Sequence, residues 1–182
     1  MAHPQQQEYC LKIKAQHPKY FDNVNVLDVG SLDINGSNRY LFSGVFTTYT
    51  GLDIAAGRNV TVVSKGHEWS APDACYDIII STECFEHDKY YPQTLTNIIR
   101  MLKPNGMFLF TCATTGRAEH GTIQSDVYSS PLTSQIPEWC SYYKNLTEDD
   151  IRQAIDVDKK FKKYQFETNP YSHDLYFFGI KG

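Results

Sequence analysis

The stretch from residue 76 to 112 changes its hydrophobic period twice, and this constrains the fold more than any other feature of the chain. Residues 76–81 read Y-D-I-I-I-S, a β-branched apolar run suited to a strand covered on both faces. Over 89–103 the period lengthens: Tyr91, Leu95, Ile98, Ile99 and Leu102 fall on one helical face, with Arg100 and Lys103 near its carboxyl end. Pro104-Asn105-Gly106 stops that helix and turns the chain into a further apolar strand at 107–112. Strand, helix and strand in this order imply a crossover between parallel strands. Upstream, V-N-V-L-D-V-G at 24–30 reads as a buried strand, 37–42 as weakly helical, 45–53 as a second strand and 60–63 as a brief third. The expected class is α/β, a doubly wound, mostly parallel sheet with helices on both faces.

Downstream, residues 113–146 are rich in Thr, Ser, Gly and Pro but carry Trp139, Tyr142 and Tyr143. An irregular segment this long suits a lid or a binding surface, although a packed lid explains the aromatics equally well. Thr147-Glu148-Asp149-Asp150 reads as a capped, acidic helix start leading into 151–155. The tail at 161–181 reads as two strands around Asn169-Pro170, an antiparallel C-terminal hairpin at one sheet edge. With no internal repeat or linker, a single domain over 1–182 is expected.

Composition narrows the partners. The 182 residues, 41% of them hydrophobic, can bury one sizeable core without metal or disulfides. Seventeen basic and 21 acidic residues leave a net charge of -4, so no nucleic-acid partner is expected. No apolar run approaches the roughly 20 residues that span a bilayer, and residues 1–8 carry no basic start or apolar core, so the expectation is a cytoplasmic protein without membrane contact. The cysteines at 10, 75, 84, 112 and 140 contain no C-x-x-C pair, so buried free thiols are expected and a metal site is not.

In an open α/β sheet, ligands bind beyond the carboxyl ends of the strands. After the first strand come D-V-G-S-L-D-I-N-G-S at 28–37, where Gly30 admits close approach to the backbone and Gly36 opens the next segment. The second strand ends at Asp53, about 20 residues after the glycine loop, where a carboxylate can accept from both ribose hydroxyls. Together they indicate an adenosine-type ligand. The loop does not match G-x-G-x-x-G, which disfavours a dinucleotide, and a Walker A loop is absent.

In this combination the chain resembles the class I S-adenosylmethionine-dependent methyltransferases, especially their small single-domain type 11 members. The resemblance is carried by V-L-D-V-G-S-L-D-I-N-G-S at 26–37, Y-T-G-L-D-I at 49–54, Y-D-I-I-I-S-T-E-C-F-E-H at 76–87 and I-I-R-M-L-K-P-N-G-M-F-L-F-T at 98–111. It implies a Rossmann-like fold and S-adenosyl-L-methionine as cofactor. Asp28, Gly30 and Ser31 would then face its methionine part, Asp53 its ribose and Ile54 its adenine. Lys65, Gly66 and His67 would flank the adenine edge, Ser81, Thr82 and Glu83 would line the methionine side, and His87 matches the family's E-H pair. The glycine loop is poorer in glycine than is common in the family. Lys65 stands where many relatives carry an acidic group, and a lysine cannot accept a hydrogen bond from adenine.

Each residue also has a purely structural reading. Asp28 could be a hydrogen-bonded core carboxylate, Asp53 a turn cap and His87 a helix-start residue. If the acceptor is a hydroxyl or an ammonium group, a base must take its proton, and His87, His120 or His173 has a suitable intrinsic range. The expected activity is methyl transfer to a small-molecule or sugar-like acceptor by in-line displacement. An NAD(P)-dependent oxidoreductase and a non-catalytic S-adenosylmethionine-binding subunit are the alternatives, and the oligomeric state is open.

Overall fold

The apolar runs form strands β1 (Asn25–Val29), β2 (Thr48–Asp53), β3 (Val62–Val63), β4 (Tyr76–Thr82) and β5 (Leu102–Ala113), all parallel, and the tail forms antiparallel β6 (Phe161–Asn169) and β7 (Asp174–Lys181). These assignments come from a computed structural model that describes residues 3–182. The seven strands lie in the order β3-β2-β1-β4-β5-β7-β6. The chain starts in the middle of the sheet, moves outward to β3, then crosses back to β4, so β1 and β4 flank the point where strand order reverses. The doubly wound α/β expectation and the antiparallel C-terminal hairpin are both met.

The period of two along each strand sorts side chains onto two faces. Leu27, Ile79, Phe108, Phe110 and Phe177 face helices α2 (Tyr91–Met101) and α3 (Glu148–Ala154), whose Leu95, Ile98 and Ile151 complete that core. Val26, Ile78, Ile80, Leu109 and Phe178 face the opposite way, onto α1 (Pro4–Gln16) through Tyr9, Cys10 and Ile13. Helix α3 begins where its sequence indicates: Thr147 and Asp150 cap each other's backbone in a capping box. A one-turn helix, α4 (Val157–Lys160), leads into β6.

Four boundaries differ from the sequence expectation. The polar start conceals α1, whose buried positions Gln6, Tyr9, Cys10 and Ile13 do keep helical spacing but include only two strongly apolar groups. The second strand begins at Thr48, since Val45 and Phe46 follow the left-handed turn at Gly44 and are 90% and 80% exposed. The segment at 37–42 tightens to one 3-10 turn, Asn38–Leu41, capped by Ser37. Pro104-Asn105-Gly106 lies inside β5: Leu102 already pairs with Tyr76, and the ladder resumes at Met107 opposite Ile78, so the intervening residues bulge out.

Phe177 of β7 lies at the centre of the larger core, its ring 4.7–6.3 Å from those of Phe108, Phe110, Phe161, Tyr164 and Phe166. Phe177→Ala is expected to lower unfolding stability by about 3–5 kcal/mol. Urea denaturation checks this, and a loss below about 1 kcal/mol would mean that β7 does not seat in this core.

Candidate functional site

A cleft of about 1020 Å³, measured to its open mouth, lies at the carboxyl ends of β1, β2 and β4. Its floor is set by the turn after β1. Gly30 has φ +78°, and its amide and that of Ser31 both donate to Leu52 O at 2.9 and 3.1 Å, which hooks the end of β1 onto β2. A side chain at position 30 would place its Cβ 2.4 Å from Cys84 Sγ, so glycine is required by both conformation and space. Ser31 lies in the cleft with its buried hydroxyl unpartnered.

Asp53 occupies the end of β2, and each of its oxygens accepts one backbone amide: Oδ2 from Leu32 at 2.9 Å and Oδ1 from Ile54 at 2.8 Å. Burial raises its carboxyl above the usual range, while those two amides hold it down. An ionised carboxylate has about four lone-pair sites, so acceptor capacity is left for a ligand's hydroxyls. Ile54 and Gly66 line the same wall, and Asn97 of α2 holds the loop at Gly66 by donating to its carbonyl at 2.8 Å.

Asp28 is 1% exposed and receives Asn38 Nδ2 at 3.2 and 3.3 Å and the Tyr49 hydroxyl; the same Asn38 amide reaches Thr82 Oγ1 at 3.0 Å. Burial pushes its pKa up to about 6 against those donors. Glu83, in the left-handed region at φ 52°, accepts from Thr111 Oγ1 at 2.9 Å. Its other oxygen faces His3 at 3.5 Å and Arg117 at 3.8 Å, and both cations also pair with Asp174, at 3.2 and 2.9 Å. Burial alone would lower His3, but Asp174 and Glu83 carry its pKa up to about 9.

Of the residues singled out in the sequence, Asp28, Gly30, Ser31, Asp53, Ile54, Gly66, Thr82, Glu83 and His87 line the cleft. Ser81 is fully buried and donates to Val29 O at 2.9 Å, tying β4 to β1. Lys65 pairs with Glu68 at 3.2 Å, and the His67 ring lies 4.4 Å from that of Tyr90; neither side chain lines the cleft. His120 stands behind His87 with ring centroids 5.0 Å apart, and burial lowers both imidazoles, His87 well below the ordinary range. His173 sits apart, at the start of β7, with its ring over Gly116.

Two further walls complete the cleft, and of their residues only Trp139 stood out in the sequence. Gln6 and Gln7 of α1 form one wall, and Ser129, Ser130, Pro131, Leu132, Thr133 and Trp139 of the long loop form another. These groups are remote in sequence and only the packing of α1 and the loop against the sheet brings them to the strand ends.

A sheet of this order with an acidic group at the end of β2 defines the fold of the class I S-adenosylmethionine-dependent methyltransferases. A family model described as a methyltransferase domain matches residues 1–169, and the chain belongs to that family. It is an S-adenosylmethionine-dependent methyltransferase by class. Among solved structures it is similar to a putative sarcosine dimethylglycine methyltransferase from Galdieria sulphuraria (TM-score 0.60, 15% identity, 97% of this chain and 84% of that one). It is also similar to the Burkholderia thailandensis 1,6-didemethyltoxoflavin-N1-methyltransferase (TM-score 0.64, 16% identity, 97% of this chain and 78% of that one). Haemonchus contortus phosphoethanolamine N-methyltransferase 2 matches with TM-score 0.64 and 15% identity over 96% of this chain but 52% of its own. At such identities the likeness is one of fold. No curated protein sequence matches the chain.

The raised carboxyl of Asp28 has a consequence for stability. Its folded pKa of about 6 exceeds the ordinary 3.8, so the native state keeps the proton longer than the unfolded chain does. Stability is therefore lost as pH rises between those two values. Relative to Asp28→Asn, the wild-type protein is expected to lose on the order of 3 kcal/mol from about pH 4 to about pH 7. Denaturant unfolding of both proteins at the two pH values checks it, and a constant difference would place Asp28 in the ordinary carboxylate range.

Proposed function

We propose that the cleft binds S-adenosyl-L-methionine and that the protein transfers its methyl group to a small-molecule or sugar-like acceptor admitted beside the loop at 113–146. Asp53 carries this reading: a buried carboxylate with one amide on each oxygen, facing a cleft whose floor is a glycine turn. It accepts from the two ribose hydroxyls, while Ile54 and Gly66 supply the wall against the adenine. Lys65 and His67 flank that wall from outside the cleft. The methionine part lies over Gly30 and Ser31, with the polar set Asp28, Thr82 and Glu83 beneath; Ser81 serves this floor by holding β4 on β1.

When bound, the cofactor supplies an activated methyl group on a cationic sulfur. The protein's task is to align the acceptor behind that carbon and to exclude water. The new bond forms from an acceptor lone pair as the carbon–sulfur bond breaks, its electrons remaining on sulfur. Gln6 and Gln7 from α1 and Leu132 and Trp139 from the loop line the cleft and shield the reacting atoms from bulk water. Burial favours the neutral imidazole in His87 and His120, the form whose lone pair can take an acceptor's proton when no other partner holds it. His173, over Gly116, is a third candidate base only for an acceptor long enough to reach the start of β7. In this reading the enzyme is cytoplasmic, with no nucleic-acid or membrane partner; among the described residues no helix is long and apolar enough to cross a membrane. Residues 1–182 serve as one domain in this reading, since both the cleft walls and its floor come from the same sheet and its attachments.

Titration calorimetry with S-adenosylmethionine, S-adenosylhomocysteine and NAD tests the cofactor. Binding of the two sulfur nucleosides without NAD is expected, and NAD binding alone would favour the oxidoreductase alternative. Asp53→Ala should weaken S-adenosylmethionine binding by roughly 1.5–3 kcal/mol through loss of hydrogen bonds to a charged acceptor. An unchanged affinity in the folded variant would place the ribose elsewhere. Release of S-adenosylhomocysteine with a panel of acceptors separates an enzyme from a binding subunit.

A further inference from the structure

Beside the cleft, a second group of buried side chains lacks hydrogen-bond partners among the described residues. Glu86, in the 3-10 turn Phe85–His87, is fully buried, and among the described residues neither of its carboxylate oxygens has a hydrogen-bond partner. His87 is 4% exposed, and neither ring nitrogen has a partner among the described residues either. His120, from the long loop, buries its Nε2 unpartnered in the same place. One ligand atom from each of the three lies within 4.8 Å of the others. We propose that Glu86, His87 and His120 form a binding site for one divalent transition-metal ion, of which zinc is the type.

The geometry favours a cation over a hydrogen-bond network. His120 Nδ1 lies 3.1 Å from the carbonyl of Ala118, so that nitrogen carries the proton and Nε2 presents its lone pair to the cluster. A ring nitrogen anchored on a backbone carbonyl is the usual arrangement of a metal-bound histidine. The backbone has also been shaped to bring the loop against His87: Gly121 has φ +69°, and a Cβ there would lie 2.5 Å from His87 Cε1. Tyr143 closes the remaining side, its ring 5.6 Å from that of His87 and 5.0 Å from that of His120.

A neighbouring cluster shows the contrast. His3, Glu83 and Asp174 also gather within ligand distance of one another, but there Arg117 and His3 bring positive charge to the two carboxylates. No described side chain forms an ion pair with Glu86; Arg117 acts on it only from longer range. Five unpartnered polar atoms from three residues converge at one point, and this convergence calls for a common partner. Two neutral imidazoles and one carboxylate match zinc and its first-row neighbours, whereas magnesium and calcium prefer oxygen-rich sites. Ligand atoms sit about 2.0–2.2 Å from zinc, so the trio needs only a small inward movement to close on one ion. Three protein ligands leave a coordination position open, and His87 lies on the cleft wall. On the methyl-transfer reading, on which this last step alone rests, that position takes an oxygen or nitrogen donor of the acceptor.

The test uses the full chain, stripped with chelator and titrated with zinc chloride by calorimetry in the absence of nucleoside. One zinc per chain is expected, with Glu86→Gln and His120→Ala each weakening binding by roughly 10–100-fold or more. Circular dichroism verifies that each variant is folded; His120 lies on a partly exposed loop, so its variant keeps the test valid if Glu86→Gln disturbs the core. Cobalt substitution should give visible bands without a thiolate charge-transfer band. No stoichiometric binding, unchanged affinity in a folded variant, or a thiolate band pointing to cysteine ligands would each overturn the proposal. Because no nucleoside is present, failure here leaves the cofactor calorimetry standing, and failure of that calorimetry leaves this site standing.

Discussion

The left-handed turn at Gly30 is the constraint on which the rest of the site depends. Its amide and that of Ser31 converge on Leu52 O, which fixes the end of β1 against β2, and its missing Cβ lets Cys84 approach from the end of β4. Three strand ends are thereby brought together where strand order reverses. A side chain at this point would separate them and remove the cleft floor. Asp53, Thr82 and Glu83 all take their positions from these three ends.

Around that floor the protein buries an unusual number of carboxylates, and their partners decide what each can do. Asp28 is held by Asn38 and Tyr49, neutral donors that leave its pKa at about 6. Glu83 and Asp174 are matched by His3 and Arg117, cations from α1's cap and the long loop. Glu86 has neither, and burial together with Glu83 raises its carboxyl to about 8. The same turn of chain therefore contains an ion-paired acid and an unpaired one three residues apart. The unpaired one has two imidazoles beside it.

Much of the architecture is legible in sequence because strand and helix periods are local properties. The run Y-D-I-I-I-S and the helical face of Leu95 and Ile98 identify themselves, as do the capping box at Thr147 and Asp150 and the hairpin around Asn169. Helix α1 was hidden because Gln6 and Cys10, half of its buried face, do not read as apolar. The Pro-Asn-Gly segment misleads as a boundary because it bulges out of the ladder between Leu102 and Met107 instead of preceding the strand. Residues such as Asp53 announce themselves by following a strand. Gln6 does not, and although His87, His120 and Trp139 stand out as residue types, no spacing along the chain shows that residues 86, 87 and 120 meet.

By itself the sequence determined the alternation of strands and helices, the glycine turn and the acidic end of the second strand, and with them a methyltransferase fold. These follow from interactions within a few residues and from burial on either face of a sheet. Only the tertiary structure decided which polar groups share a space. Partnership between buried charges depends on distance across elements: Arg117 reaching Asp174, His120 meeting His87 against Gly121, and α1 closing the cleft with Gln6. A carboxylate in a dry interior is a matched ion, a neutral acid or a ligand according to what stands beside it, and that neighbour is chosen by folding.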